Sequence, residues 1–135
     1  DLPFEMAQNF EALFTKYNKA NICFVAPTDS EERIKQITQN AQKFIYMVAY
    51  AGITGSGQKE DLTTVINNVR KHSSTPLYIG FGVDEKTCKE KIVGVDGVIV
   101  GSAFVKHILD DSLSNDEKIK KISAIAKEIK EKINE

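Results

Sequence analysis

Gly101 and Ser102 stand where a β-branched run, Val98, Ile99 and Val100, passes without a linker into the helical spacing of residues 103–109. A glycine and a small hydroxyl residue at a strand-to-helix junction leave backbone N–H groups facing open space, and the helix dipole adds positive character. That is chemistry for holding an anion. Other glycines fall at equivalent places: Gly52, Gly55 and Gly57 after one apolar run, and Gly80 and Gly82 at the end of another. In a parallel α/β fold these positions share the C-terminal rim of the strands, where such folds bind ligands. Phosphate sites of (β/α) barrels use the loops after the last two strands and the start of a short extra helix, and "SAFVKHIL" has the form of that helix. Glycine also ends strands for conformational reasons alone, so each site taken singly reads as a turn. Neither "GFGVDE" nor "GITGSGQK" has the spacing of a nucleotide-binding fingerprint.

The elements that must position these glycines alternate along the chain. From Pro3, residues Met6, Phe10, Leu13, Phe14 and Tyr17 recur at helical spacing up to Asn18, which predicts a helix with one buried face. "ICFVA" predicts a strand, and "TDSEERIKQI" a helix capped from Thr28, Asp29 or Ser30. "FIYMVAYAG" predicts a strand, "ITGSGQ" a loop, and "EDLTTVINNVRKH" a helix with Leu62, Val65, Ile66 and Val69 on one side. "LYIGFGV" is a further strand, "DEKTCKEKIV" a helix opened by Asp84, and "DGVIVG" the strand that feeds "SAFVKHIL". A Ser114/Glu117 capping box opens a last helix with an isoleucine stripe at Ile119, Ile122, Ile125, Ile129 and Ile133 beside a lysine-rich, solvated face. Uniformly apolar strands alternating with amphipathic helices define an α/β class with a parallel sheet and right-handed crossovers. With no linker or composition break, residues 1–135 read as one domain.

Composition narrows the partners. The 135 residues carry a formal net charge of −1, 41% hydrophobic and 27% charged residues, as in an ordinary globular domain. No electrostatic reason exists to bind nucleic acid or an acidic membrane, and no apolar run approaches the length of a membrane span. Cys23 and Cys88 lie far apart in apolar or helical contexts, which predicts reduced packing thiols and a cytoplasmic location. The chain starts at Asp1, which suggests processing or a piece of a longer protein.

Taken in order, "DLPFE", "FIYMVAYAGITGS", "LYIGFGV" and "DGVIVGSAFVK" resemble the tryptophan synthase alpha chain family over essentially the whole sequence. The match is to the C-terminal half of that family's (β/α)₈ barrel, so the four strands here would be strands five to eight. The resemblance implies retro-aldol cleavage of indole-3-glycerol phosphate to indole and glyceraldehyde 3-phosphate, with indole passed to a pyridoxal-phosphate beta chain. No cofactor is implied for this chain. By resemblance, Gly55, Gly82, Gly101 and Ser102 hold the substrate phosphate, Tyr46 faces the substrate, Phe81 lines the indole pocket, and Thr54 belongs to a mobile closing loop. Tyr46 and Phe81 also fit plain barrel-core roles.

The family's catalytic Glu and Asp belong to the N-terminal half, so no catalytic residue is assigned here. Asp1 matches a position near the site, while Asp84 and Asp96 are explained by a helix cap and a surface turn. Tyr50 replaces the Arg or Ser of many members. The implied partners are the tryptophan synthase beta chain, a phosphorylated small molecule, and the N-terminal half of the barrel or a second copy. The alternatives are a stand-alone half-barrel that binds phosphorylated ligands or self-assembles, and another phosphate-binding barrel lyase or isomerase. The AGITG loop argues against the latter.

Overall fold

A computed structural model describes residues 2–49 and 62–135. Four strands, β1 (Cys23–Val25), β2 (Ile45–Val48), β3 (Leu77–Gly80) and β4 (Gly97–Val98), form one sheet in sequence order. Every pairing is parallel, with Phe24 opposite Tyr46, Tyr46 opposite Tyr78, and Tyr78 opposite Gly97. The expected α/β class with a parallel sheet is observed.

Strand side chains alternate between faces, and the two faces differ sharply. Val25, Ile45, Met47, Leu77 and Ile79 point to one side and are fully buried. There they meet Ile34 and Ile37 of α3 (Glu31–Thr38) and Val65 and Val69 of α4 (Thr63–His72), which makes the main core. Ser30 caps α3 by accepting the Arg33 N–H at 3.3 Å, as the cluster at residues 28–30 predicts. The opposite face carries Phe24, Tyr46, Val48 and Tyr78, all only half-buried. Reading the strands as apolar throughout concealed this division.

A second, smaller core joins Val83 and Cys88 to Ile129 of α7 (Asn115–Ile133), flanked by Ile125 and Ile133. The Ser114/Glu117 capping box forms on both sides: Glu117 accepts the Ser114 N–H at 2.8 Å, and Ser114 Oγ accepts the Glu117 N–H at 3.4 Å. Ile119, at the N-terminal end of the stripe, is exposed. Cys88 is buried and Cys23 half-buried, and burial pushes the Cys23 thiol up, as suits a packing thiol.

The N-terminal segment departs from expectation. In place of one helix it forms α1 (Phe4–Ala7), a 3₁₀ turn (Gln8–Phe10) and α2 (Glu11–Lys16), and Met6, Phe10, Leu13 and Tyr17 are exposed rather than buried. Periodicity identifies residues that share a helix face, but it cannot supply the surface that covers them. An Arg33–Glu5 ion pair ties α1 to α3. Two further predicted elements are shorter than their sequence signals. The helix after Asp84 reduces to α5 (Cys88–Lys91), and the strand at residues 96–101 reduces to Gly97–Val98, where β4 pairs on one side only among the described residues.

Candidate functional site

Tyr46 organises the half-buried face. Its ring stacks on Phe24 across the β1–β2 pair, with centroids 4.8 Å apart at 19°. It meets the Phe81 ring edge-on, at 6.2 Å and 77°. On the next strand pair, Tyr78 stacks on Phe44 at 5.0 Å and 20°. The result is an aromatic wall along the sheet.

Two glycines make room for it. A Cβ on Gly80 would fall 1.8 Å from the Tyr46 hydroxyl oxygen and 2.2 Å from its Cζ, a distance no side chain tolerates. A Cβ on Gly97 would stand 3.0 Å from the Tyr78 ring. Each tyrosine therefore leans over a glycine of the neighbouring strand. Burial pushes the Tyr46 phenol up, so it stays a neutral donor at neutral pH.

The rim follows from register. Ile79 of β3 pairs with Val98 of β4, so Gly82 and Gly101 each lie three residues past that paired position on adjacent strands. Phe81 and Gly82 both adopt left-handed backbone, φ 71° and 63°, and turn the chain sharply off β3. Gly101 caps α6 (Ser102–Ile108), and its carbonyl receives the N–H groups of Phe104 at 2.9 Å and Val105 at 3.1 Å. This pattern leaves the Ser102 and Ala103 N–H groups without a partner inside the helix. Gly101 and Ser102 are exposed, and a Cβ placed on Gly101 meets nothing within 4 Å. The structure thus brings Tyr46 and Phe81 into contact and sets Gly82 and Gly101 on one rim. Thr54 and Gly55, with Tyr50, Gly52, Gly57 and Asp1, lie outside the described residues.

Three carboxylates beside the strands, Asp29, Asp84 and Asp96, are committed to the backbone. Asp29 accepts the Ala26 N–H at 2.7 Å, and Asp84 accepts those of Lys86 and Thr87 at 2.9 Å each. Asp96 accepts the Leu77 N–H and the Arg70 guanidinium, both at 2.7 Å. Burial raises the Asp96 pKa, but these two donors outweigh it and hold the carboxyl below its ordinary value. Asp96 is accordingly more than the surface turn expected: it clamps α4 to β3 and β4. Among the described residues, no group of three His, Cys, Asp or Glu side chains is arranged to hold a metal ion, and no helix is long and apolar enough to cross a membrane.

Sequence reasoning missed Phe24, Phe44 and Tyr78 as members of the wall. Their signal was available: all fall on the strand parity of Tyr46 once the pairing register is known.

A parallel β/α sheet, helices on one face and an aromatic, glycine-rimmed surface on the other, is the architecture of half a (β/α)₈ barrel. The tryptophan synthase alpha chain profile matches residues 1–134. A tryptophan synthase alpha chain of Wolinella succinogenes is 53% identical over 135 residues, covering 99% of this chain and 53% of the relative. That of Petrotoga mobilis is 38% identical, covering 96% of this chain and 52% of the relative. The solved tryptophan synthase subunit alpha from Campylobacter jejuni superimposes with a TM-score of 0.78 at 31% identity, over 93% of this chain and 51% of that one. The chain belongs to the tryptophan synthase alpha chain family, and it spans about half the length of the curated relatives it matches.

Proposed function

We propose that this chain is the phosphate- and indole-binding half of a lyase that cleaves indole-3-glycerol phosphate into indole and glyceraldehyde 3-phosphate in tryptophan biosynthesis, a cytoplasmic activity. The observation that carries this reading is the family match joined to an aromatic wall ending at a glycine rim. The indole ring lies against Tyr46 and Phe81. The phosphate sits at Gly55, Gly82, Gly101 and Ser102, where first-turn N–H groups and small residues admit a dianion. Thr54 joins them as a further substrate-binding residue.

Bond cleavage needs an acid to protonate the indole ring and a base for the glycerol hydroxyl. Asp29, Asp84 and Asp96 are held by backbone amides and are unsuited to either task. The Glu and Asp that do this work belong to the N-terminal half of the barrel. The relatives' names, alpha chain and subunit alpha, support partnership with a beta chain, which holds the pyridoxal phosphate and receives the indole.

Gly101 gives a direct test. Because a Cβ there enters open space, Gly101→Val should leave the fold intact and obstruct only the anion. Titration with glycerol phosphate, followed on the backbone amides of Gly82, Gly101 and Ser102, should show binding in the parent and its loss in the variant. No binding to the folded parent, or unchanged binding in the variant, would sink this placement.

A second reading, a self-assembling half-barrel without catalysis, draws support from the exposed apolar residues on α1, α2 and α6. Concentration-dependent association without ligand binding would favour it.

A further inference from the structure

Phe81 is 58% exposed, yet its backbone is held at φ 71°, a region that residues bearing a Cβ adopt only when their surroundings impose it. The constraint comes from the residues just after it. The Thr87 hydroxyl donates to the Gly82 carbonyl at 2.7 Å, and its oxygen accepts the Asp84 N–H at 3.0 Å. The Asp84 carboxylate also lies 3.0 Å from that hydroxyl, but the oxygen concerned already accepts the Lys86 and Thr87 N–H groups. The shorter contact to Gly82 is the better acceptor for the single hydroxyl proton. Val83, buried against Cys88 and Ile129, anchors the other end of the turn. Thr87 and Val83 thus pin the turn from the residues that follow it, and the Phe81 ring packs edge-to-face with the Tyr46 ring.

We infer that Thr87 is a positioning residue: through the Gly82 carbonyl it holds the Phe81 ring against Tyr46 and so sets the shape of the aromatic wall on which a flat aromatic ring lies. This rests on the reading of the aromatic wall as the ring site. Thr87 itself touches neither aromatic side chain in the observed bonding; its effect passes through the backbone of Gly82.

The test uses the full chain, with Thr87→Val, which keeps the side chain's shape and removes the hydroxyl, and Thr87→Ser, which keeps the hydroxyl. Nuclear Overhauser contacts between the Phe81 and Tyr46 rings should be present in the parent and Thr87→Ser and absent from Thr87→Val. Affinity for indole should fall about three- to tenfold in Thr87→Val, the scale of one lost edge-to-face aromatic contact, and hold in Thr87→Ser. Retained ring contacts in Thr87→Val, or a Thr87→Ser variant that behaves like it, overturns the proposal. So does the absence of the ring contact in the parent, a measurement that stands even where Thr87→Val does not fold. A parent that shows the ring contacts but binds neither indole nor glycerol phosphate refutes the functional reading instead, and the ring contacts still decide the role of Thr87.

Discussion

At the residue scale, the site depends as much on missing atoms as on present ones. Tyr46 reaches its position because Gly80 has no side chain: the 1.8 Å separation between a Gly80 Cβ and the Tyr46 hydroxyl oxygen cannot be relieved by bending one bond. Gly80→Ala should therefore displace the ring from its stack on Phe24 and its edge contact with Phe81, and cost about 1–3 kcal/mol through overpacking. The interaction is pairwise. In a Tyr46→Ala background the same substitution should cost far less, and a double-mutant cycle from thermal unfolding measures that coupling. Additive effects would mean that the ring and the glycine do not constrain each other. Gly101 is the opposite case, since an added side chain there meets open space and should cost the fold no more than a weaker α6 cap while obstructing ligand approach.

At the element scale, short strands are kept in register by side chains outside the ladder. Asp96 receives the Leu77 N–H from β3 and the Arg70 guanidinium from α4, fastening β4, which among the described residues has one strand neighbour. The carboxylate is 44% exposed, so Asp96→Ala should cost about 1 kcal/mol at neutral pH after allowance for solvent screening. Its folded-state pKa is depressed, so this stabilisation is complete above the unfolded value of about 4 and is lost as pH falls through the folded value. The stability gap between parent and Asp96→Ala, measured by denaturant unfolding, should close on acidification and stay constant from pH 6 to 8, a window chosen to sit about two units above that titration. A gap that persists below the titration would assign the effect to packing. The alternation of strands and helices, the Ser114/Glu117 cap and the positions of Gly82 and Gly101 at strand ends were legible because local chemistry specifies them. The left-handed Phe81 was not legible: a phenylalanine at that φ is imposed by Gly82, Val83 and Thr87, a tertiary constraint with no local signature. Nor was the exposure of α1 and α2 readable, because an apolar stripe records what a helix can bury and says nothing about whether a covering surface is present.

At the scale of the whole molecule, binding and catalysis separate. On the proposed reading the rim and wall hold a phosphorylated aromatic substrate, while Asp29, Asp84 and Asp96, beside the strands, are occupied by backbone amides. An acid and a base supply about 10² to 10⁴ in rate apiece, so the 135-residue chain by itself should release no indole from indole-3-glycerol phosphate above buffer background. Measurable, enzyme-dependent release would force a search for a catalytic carboxylate among the other acidic residues of the chain. The same incompleteness governs assembly. Among the described residues, β1 and β4 each pair on one side only, and parallel strands with open edges recruit further strands. Met6, Phe10, Leu13 and Tyr17 are exposed on the segment that precedes β1, and Val105 and Ile108 on the helix that follows β4, with Leu109 at its C-terminal cap. Leaving such surface in water costs about 25 cal/mol for each Å². A barrel of this family closes with eight strands, so a complementary four-stranded unit would pair with both edges and cover both apolar stripes. An N-terminal half in the same chain would supply that unit, and a second copy would supply it by two-fold symmetry. The isolated chain should therefore sediment above its 15.0 kDa monomer mass with rising concentration, and substitution of Leu13 and Ile108 by lysine should weaken that association. A compact monomer, unfolding cooperatively at a midpoint independent of concentration, would show that the four-stranded unit closes its own core and that these stripes need no partner.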